Sequence, residues 1–191
     1  MIAIVQHLKM SEVDPNSLPE DSLAKERAIA EKDLLMMQRV STGEDAAMAF
    51  LVDRWKGPLV RFFNRSLHSL ADAEELSQIT FLKLYRAAER YQPTAKFSTY
   101  LFTIARRVLL DEHKRRARHP VDAVDPVELR AKAEPANKIR ISELEESLEQ
   151  CLSKLPENQR TAILLRVQRE LAYEEIAAIM KASEGAVKTW I

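Results

Sequence analysis

The stretch Ala71–Arg118 carries the clearest periodic pattern in this sequence, and that pattern restricts the chain to helical architectures. In its second half, apolar residues recur at steps of four, three and four, the spacing that lines one face of a helix: Phe97, Leu101, Ile104 and Val108. Leu101–Arg118 also holds six basic residues against two acidic ones, mostly off the apolar stripe. The pattern predicts two amphipathic helices joined by a short loop, the second with a cationic exterior that can face a polyanion.

Composition extends this expectation to the whole chain. The chain has 191 residues, of which 46% are apolar, enough to form a packed core. It contains only three glycines, which favours helix over sheet. Lysine plus arginine equals aspartate plus glutamate, at 29 each, so net charge by itself indicates no partner. The expected fold is all-α, with two small helical bundles joined by a flexible linker.

The single cysteine, Cys151, excludes an internal disulfide framework and suits a reducing cytosol. We expect it to be a small buried helix residue rather than a redox sensor. The first residues lack the basic region and long apolar run of a signal peptide, and no apolar run approaches the ~20 residues of a bilayer span. The sequence therefore predicts a cytoplasmic protein without a membrane span.

Local signals divide the chain into four segments. Residues 1–21 are acidic and aperiodic and contain two prolines, so we expect a mobile leader. Helical patterns fill 22–116, prolines mark a linker at 117–137, and a second helical domain follows at 138–191. Fully extended, such a linker reaches about 70 Å, enough for two modules to dock one or two turns apart on DNA. A passive tether is the alternative.

Three local features set expected helix boundaries in the first domain. Gly43 suits the end of the first helix. Gly57-Pro58 is expected to interrupt the second helix, in which Trp55 should be a core residue, as should Phe62 and Phe63 after it. Asp72 is expected to cap the helix that follows.

Two short helices are predicted near the C-terminal end, at Tyr173–Met180 and from Glu184 onward. The turn between them ends at Ser183, which can cap the second helix. So tight a turn is typical of a helix-turn-helix, whose second helix enters the major groove of DNA, although other helical hairpins share the pattern.

Four segments, taken in order, resemble the extracytoplasmic-function sigma factors of bacterial RNA polymerase. GEDAAMAFLVDRW resembles the opening of their second conserved region, and DAEELSQITF resembles the helix that grips the polymerase clamp. AKFSTYLFTIARRVLLDEHKRR is similar to their promoter-melting segment, and LPENQRTAILLRV with YEEIAAIMKASEGAVKTW resembles their fourth conserved region. The resemblance implies a sigma factor that binds core polymerase, directs recognition of the -10 and -35 promoter elements and melts DNA, without catalytic activity of its own.

The resemblance assigns core polymerase binding, at the clamp of its largest catalytic subunit, to Glu74, Glu75 and Gln78. These residues lie within about one helical turn, so they can form one polar patch. A solubilising helix start is the alternative. Ile79 stands where the family often has an acid.

For the -10 element, the resemblance implies that a base-capturing loop and the helix after it bind DNA. Aromatic rings can stack on exposed bases, which contributes roughly 1–3 kcal/mol per base, and basic side chains can hold phosphates. Tyr100 stands where the family usually has Trp, and Arg107 replaces a common Asn; the alternatives are a core role for Tyr100 and a merely solvated basic face. The implied contacts are Tyr91, Lys96, Phe97, Ser98, Tyr100, Arg106, Arg107, Lys114 and Arg115.

For the -35 element, the implied contacts lie at the start of the presumed recognition helix: Ser183, Glu184, Gly185, Lys188 and Thr189. Lys188 can reach phosphate or guanine. Ala172 stands where a Ser or Thr cap is common in the family. Because the sequence stops inside the recognition helix, we expect a truncated product or partial sequence with weak -35 binding.

Two other classes of protein are alternatives. A helix-turn-helix regulator that binds duplex DNA without polymerase would explain residues 157–191 but leave 72–118 without a role. An enzyme is not favoured, because the chain lacks HExxH, a glycine-rich phosphate loop and paired CxxC motifs. Asp111, Glu112 and His113 diverge by about 100° each along a helix and do not converge on one ion.

We therefore expect no catalytic residue, metal or cofactor. The expected partners are core RNA polymerase and promoter DNA. An anti-sigma factor is a further partner that family behaviour allows, although no residue of this chain identifies one.

Overall fold

The computed structural model describes residues 20–118, 147 and 150–191, with side-chain burial from residue 27 onward. Residues 150–153 are helical, a 3-10 turn spans Ala88–Arg90, and no strand occurs within the described ranges. The all-α prediction is therefore confirmed. The helices with defined bounds are α1 (Glu20–Ser41), α2 (Asp45–Leu67), α3 (Leu70–Ala87), α4 (Phe97–Arg118), α5 (Glu157–Arg169), α6 (Tyr173–Met180) and α7 (Glu184–Trp190).

Two predicted segments fall mostly outside the described residues. These are the leader at 1–21, of which only Glu20 and Asp21 are described, and the linker at 117–137. Helix α4 continues to Arg118, so it takes in the first two residues of the segment that was predicted to be linker.

Helices α1 to α4 pack around an aromatic cluster. The ring centroid of Trp55 lies 5.9 Å from that of Phe97 and 6.2 Å from that of Phe102, both in edge contact. The Phe62 ring lies 5.5 Å from Phe102 and 5.3 Å from Phe63. This geometry is favourable because the positive edge of one ring meets the negative face of the next. Trp55, Phe62 and Phe63 are core residues, as predicted.

Helix α2 runs through Pro58 without a break, so the predicted interruption at Gly57-Pro58 is wrong. A proline inside a helix removes a backbone hydrogen bond and costs about 3 kcal/mol. Trp55 and Leu59, on either side of Pro58, are only 4% and 0% exposed. Burial of this apolar face outweighs the lost hydrogen bond.

The helix ends show which of the predicted caps and boundaries are confirmed. Gly43 ends α1 with a φ of 85°, as predicted. The N-cap of α3 is Ser69 rather than Asp72, because the Ser69 hydroxyl accepts a hydrogen bond from the Asp72 N–H at 3.3 Å. Asp72 is therefore the third residue of the helix, where its carboxylate can pair with other groups. Ser183 caps α7 by accepting from the Ala186 N–H at 3.2 Å, as predicted.

Helices α5, α6 and α7 form a second group, in which α6 and α7 make the predicted helix-turn-helix. Lys181 begins the turn with a left-handed φ of 52°. Helix α6 has no side-chain cap at Ala172, and the Glu175 carboxylate instead accepts from the Ala172 N–H at 2.9 Å.

Cys151, just before this group, is exposed, so its predicted burial is wrong. Its neighbour Leu152 takes the buried position, at 6% exposure.

Helix α4 is buried on two opposite faces, of which the sequence analysis identified one. The predicted stripe of Phe97–Val108 residues lies in the core, each at most 8% exposed. On the opposite face, Thr99 is also buried, at 5% exposure, and its hydroxyl donates to the Glu175 carboxylate at 3.5 Å. The C-terminal helices pack on this second face, mainly through α6. The two bundles are therefore in contact. The sequence predicts two bundles joined by a flexible linker but does not predict this contact.

An ion-pair network joins the end of α4 to the start of α3. Glu112, at 8% exposure, accepts hydrogen bonds from Arg115 at 2.8 and 2.9 Å and from Arg116 at 2.7 Å. Arg116 also donates to Asp72 at 2.6 Å. The hydrogen bond from Arg115, followed by that from Arg116, lowers the pKa of the Glu112 carboxyl, although burial acts in the opposite direction. Glu112 is therefore ionised near neutral pH.

Replacing Ser69 with Ala should lower the free energy of unfolding by about 1 kcal/mol, because the first turn of α3 loses its capping acceptor. Urea denaturation at neutral pH measures this change. Thr94→Ala, at an exposed loop position, is the matched control and should leave stability nearly unchanged. Equal effects of the two substitutions would contradict the assignment of the cap.

Replacing Glu112 with Gln should lower the free energy of unfolding by about 1–2 kcal/mol at pH 7. Because the folded pKa of this carboxyl is lowered, its contribution is complete above the unfolded pKa and is lost as the pH falls through the folded pKa. The difference between wild type and variant, measured by urea denaturation, should therefore shrink from about pH 5 downward.

Asp111→Asn is the control for Glu112→Gln. Asp111 is the residue before Glu112 on the same helix, its side chain is 63% exposed, and it pairs with Lys83 at 3.4 Å. Such an exposed pair contributes little to stability. The free energy of unfolding of this variant should therefore stay close to that of wild type, both at pH 7 and below about pH 5. A pH-independent effect of Glu112→Gln would show that packing, rather than charge, carries its contribution.

Candidate nucleic-acid and protein interfaces

The exposed face of α3 carries the residues that the sequence assigned to polymerase binding. Glu74, Glu75 and Gln78 are all exposed, and Ile79 is half-buried. The helix is held in place by its other side, where Ala73, Leu76, Phe81 and Leu84 are buried. The three polar side chains therefore form one accessible patch.

Two apolar residues extend this patch and were missed by the sequence analysis. Leu82 is 56% exposed and Tyr85 is 48% exposed. They follow Glu75 and Gln78 along the same helical face, at steps of four and three. Their position off the buried stripe was the available signal. We call Glu74, Glu75, Gln78, Leu82 and Tyr85 the α3 patch; apolar groups inside a polar surface are typical of protein interfaces.

An aromatic pair connects the loop before α4 to the first turn of α4. The rings of Tyr91 and Tyr100 lie 4.9 Å apart between centroids, tilted by 55°, and both side chains are half-buried. Burial raises the pKa of both phenols; the neighbouring Tyr100 adds to the effect at Tyr91, and Arg107 opposes it at Tyr100. Both groups are therefore neutral near pH 7. The Tyr91 hydroxyl is buried and has no hydrogen-bond partner among the described residues.

Phe97 is a core residue, which corrects its predicted role in DNA binding. It is 2% exposed and packs against Trp55, so it has no surface with which to contact a nucleic acid. Its place in the apolar stripe had already indicated burial. Phe97 instead anchors the start of α4, and Ser98 beside it is half-buried.

A basic strip runs along the third face of α4, between its two buried faces. Arg107, Lys114 and Arg118 are exposed there, in line with Tyr100. Arg115 is also exposed but is engaged by Glu112. We call Tyr100, Arg107, Lys114 and Arg118 the α4 strip. Because three of its four members are cationic, it can hold a phosphate backbone beside an aromatic ring.

Two predicted DNA contacts are paired with side chains of the C-terminal helices. The Lys96 ammonium lies 3.1 Å from the Glu175 carboxylate. The Arg106 guanidinium is half-buried and donates to the Asn158 side chain at 3.4 Å. Burial lowers the pKa of Arg106, and the nearby Glu157 carboxylate opposes that effect. In this arrangement Arg106 is partly shielded from solvent, whereas Lys96 stays exposed beside a carboxylate that would compete with a phosphate.

The start of α7 is exposed at every predicted -35 contact, namely Ser183, Glu184, Gly185, Lys188 and Thr189. The Lys188 ammonium lies 2.6 Å from the Glu184 carboxylate, and this hydrogen bond raises the pKa of Lys188. The Thr189 hydroxyl donates to the Gly185 carbonyl at 2.9 Å. The exposed side of α7 therefore carries a lysine that is already paired with a carboxylate of the same helix.

The acidic run at the end of α4 does not converge on a common point. Asp111 pairs with Lys83, Glu112 with two arginines, and His113 lies 3.3 Å from the Glu157 carboxylate. Within the described ranges, no group of three His, Cys, Asp or Glu side chains is arranged to hold a metal ion. Nor does any helix of those ranges combine the length and apolar character needed to cross a bilayer.

Comparison with known proteins links both halves of the chain to one family. Residues 51–119 match the family model for sigma-70 region 2, and residues 145–191 match that for sigma-70, region 4. The RNA polymerase sigma-H factor of Pseudomonas aeruginosa is 29% identical over 171 residues, which cover 84% of this chain and 89% of that protein. The ECF RNA polymerase sigma-E factor of Escherichia coli is 31% identical over 169 residues, covering 83% and 88%.

A solved structure shares the fold. The chain matches the structure of CnrH in complex with the cytosolic domain of CnrY with a TM-score of 0.63, over 84% of this chain and 90% of that one. Sequence identity in this match is 20%, so it supports the architecture alone.

Both sigma-70 regions are thus matched in order, and a relative above 30% identity is covered over most of its length. The alternative of a regulator that acts without polymerase is not favoured, because it leaves the region 2 match without a role. The chain belongs to the extracytoplasmic-function group of the sigma-70 family, whose members are sigma factors that direct RNA polymerase to promoters.

Proposed function

We propose that this sigma factor binds core RNA polymerase through the α3 patch and holds the melted -10 region along the α4 strip. The observation that carries the proposal is the exposure of these two surfaces on adjacent helices of one bundle. In this proposal, residues 22–116 are the region 2-like module, 138–191 the region 4-like module, and 117–137 the link between them. Like other sigma factors, the chain positions the polymerase and catalyses nothing itself.

The α3 patch fits a helical protein partner such as the clamp of the largest catalytic subunit. Its acidic and amide groups, Glu74, Glu75 and Gln78, can meet a basic surface. Leu82 and Tyr85 supply apolar area, which gives the contact its strength once water is excluded. The patch is therefore mixed in character, as stable interfaces usually are.

The α4 strip fits a single DNA strand. Tyr100 and Tyr91 offer aromatic faces for a base removed from the stack, and stacking of this kind is worth roughly 1–3 kcal/mol per base. Arg107 and Lys114 lie further along the helix, where they can hold the phosphates of the same strand. Lys96 and Arg106 join this surface when the C-terminal helices do not cover them.

Helix α7 is the proposed reader of the -35 duplex. Lys188, Thr189 and Gly185 lie on its exposed side, and a helix of this diameter fits the major groove. Ser183 caps the helix and keeps its first turn in place.

A protein regulator of the anti-sigma type is a further proposed partner. The CnrH structure is a complex with the cytosolic domain of CnrY, which supports a protein partner for a chain of this fold. Such a regulator would act by covering the α3 patch or the α4 strip.

The function is tested by transcription with purified bacterial core polymerase on a library of randomised promoter-length DNA. The chain should produce RNAs whose 5′ ends map downstream of a shared sequence motif. Core polymerase alone is the control. Absence of both initiation and core binding would contradict the proposal.

Replacing Leu82 or Tyr85 with Ala should weaken core binding about tenfold each, since truncation of an apolar interface anchor costs about 1–2 kcal/mol. Fluorescence anisotropy of labelled protein titrated with core measures the change. Leu35→Ala on α1, where the side chain is 46% exposed, is the matched control and should bind as wild type. Equal loss of affinity for core polymerase in all three variants would contradict a role of the α3 patch in the interface.

Replacing Arg107 or Lys114 with Ala should weaken open-complex formation and reduce its dependence on salt. A plot of log K against log salt concentration has a negative slope, and each lost phosphate contact makes that slope shallower by about 0.7 for single-stranded DNA. Open complex is measured by permanganate reactivity across a salt series. Lys56→Ala removes the same charge from an exposed site on α2 and should leave the slope unchanged; an unchanged slope in the α4 variants would exclude these contacts.

A further inference from the structure

A small cavity lies between α2 and the end of α5, away from the α3 patch and the α4 strip. Its volume is about 240 Å³, and it is lined by Arg54, Trp55, Pro58 and Arg169. Two of these four side chains carry a guanidinium group and none carries a carboxylate. The cavity is smaller than the roughly 300–1,000 Å³ pockets that hold drug-sized ligands, so its size suits a small charged group.

Both guanidinium groups of the cavity lie against the indole ring of Trp55. The central carbon of the Arg169 guanidinium is 4.7 Å from the ring centroid, and that of Arg54 is 5.8 Å from it. Trp55 is 4% exposed and packs against Phe97, so this ring is a fixed part of the core. The ring therefore brings cations of two helices to one place, although like charges repel without a counter-ion.

Arg169 is the cation that most needs an acceptor. Its Nε–H is buried and makes no hydrogen bond to any described residue. Burial lowers the pKa of Arg169, and the positive charges of Arg61 and Arg54 lower it further. A buried donor without an acceptor destabilises the fold, so an anion at this position would be stabilising.

The nearby carboxylates do not balance the arginines. Asp33, at 2% exposure, already lies 2.9 Å from the Arg54 Nε. Glu170 is exposed beside Arg169 in the sequence. These two carboxylates oppose the lowering of the Arg169 pKa, but burial and the charges of Arg61 and Arg54 outweigh them. The cavity therefore keeps an excess of positive charge.

We propose that this cavity binds a small oxyanion, a phosphate or diphosphate group, between Arg54 of α2 and Arg169 of α5. The planar fork of a guanidinium matches two phosphate oxygens at once. The bound anion accepts from the buried Nε–H of Arg169 and relieves the repulsion between the two arginines. Arg61, whose side chain extends back along α2 to Gly57, adds positive charge. The proposal involves neither the α3 patch nor the α4 strip.

Isothermal titration calorimetry of the full 191-residue chain, in HEPES buffer at constant ionic strength, tests the proposal. Sodium pyrophosphate should bind with a stoichiometry of one. GDP distinguishes the two sources of a diphosphate group: tighter binding than pyrophosphate indicates a nucleotide, and weaker binding indicates the free anion. Guanosine, which lacks phosphate, should not bind. The proposal is wrong if neither pyrophosphate nor GDP binds, or if guanosine binds as well as GDP.

Substitution of the arginines locates the site. Arg169→Gln should weaken pyrophosphate binding about tenfold, because a charge-assisted hydrogen bond is lost. Arg61→Gln, at an exposed position that tolerates substitution, should weaken it about threefold. Arg86→Gln is the matched control, since it removes the same charge from an exposed position on α3 that does not line the cavity. It should bind as wild type, and equal losses in all three variants would contradict the assignment of the site.

Thermal unfolding monitored by circular dichroism supplies the second readout. An anion that binds only the folded chain raises its Tm, so the Tm of wild type should increase with pyrophosphate concentration. The increase for Arg169→Gln should require about ten times more pyrophosphate. Potassium chloride at matched ionic strength is the control, and an equal increase with chloride would overturn the proposal. Because these assays contain neither core polymerase nor DNA, their failure leaves the proposed function untouched.

Discussion

The two-sided burial of α4 governs the arrangement of the whole molecule. Its apolar row packs against α1 and α3, and the opposite face, which includes Thr99, packs against α6. Only the strip between the rows is left for solvent, and the exposed cations of α4 are concentrated there. The same helix thus holds the bundle together, carries the basic surface and provides the seat for the second module. These demands are compatible because a helix offers several faces.

Charge is distributed so that few cations of α4 are available at the same time. Asp72 of α3 and Glu112 of α4 itself hold Arg116, and Glu175 of α6 holds Lys96, the residue just before α4. A surface with many free arginines would bind any polyanion, since phosphate attraction is independent of sequence. Local neutralisation leaves Arg107, Lys114 and Arg118 as exposed cations of α4 outside these ion pairs, so the attraction of the helix for a polyanion is reduced.

Features that depend on a few neighbouring residues could be predicted from the sequence. Gly43 in its left-handed turn and Ser183 at its cap are examples, as are the apolar stripe and the exposure of the polar group on α3. Features that depend on distant segments could not. The continuity of α2 through Pro58 comes from packing on both sides of it, and the partner of Lys96 belongs to another module. The DNA contact predicted at Phe97 is wrong for a different reason: the family resemblance and the apolar stripe disagree at this residue, and its burial in the stripe decides its position.

The contact between Glu184 and Lys188 on α7 has a kinetic consequence. If α7 enters the major groove as proposed, a phosphate competes with the Glu184 carboxylate for the Lys188 ammonium, so the net gain on random DNA is reduced. Weak attachment to arbitrary sequence means short residence there. A holoenzyme with such a helix would leave wrong sites quickly and scan the chromosome faster, while any added hold at the right site comes from base edges.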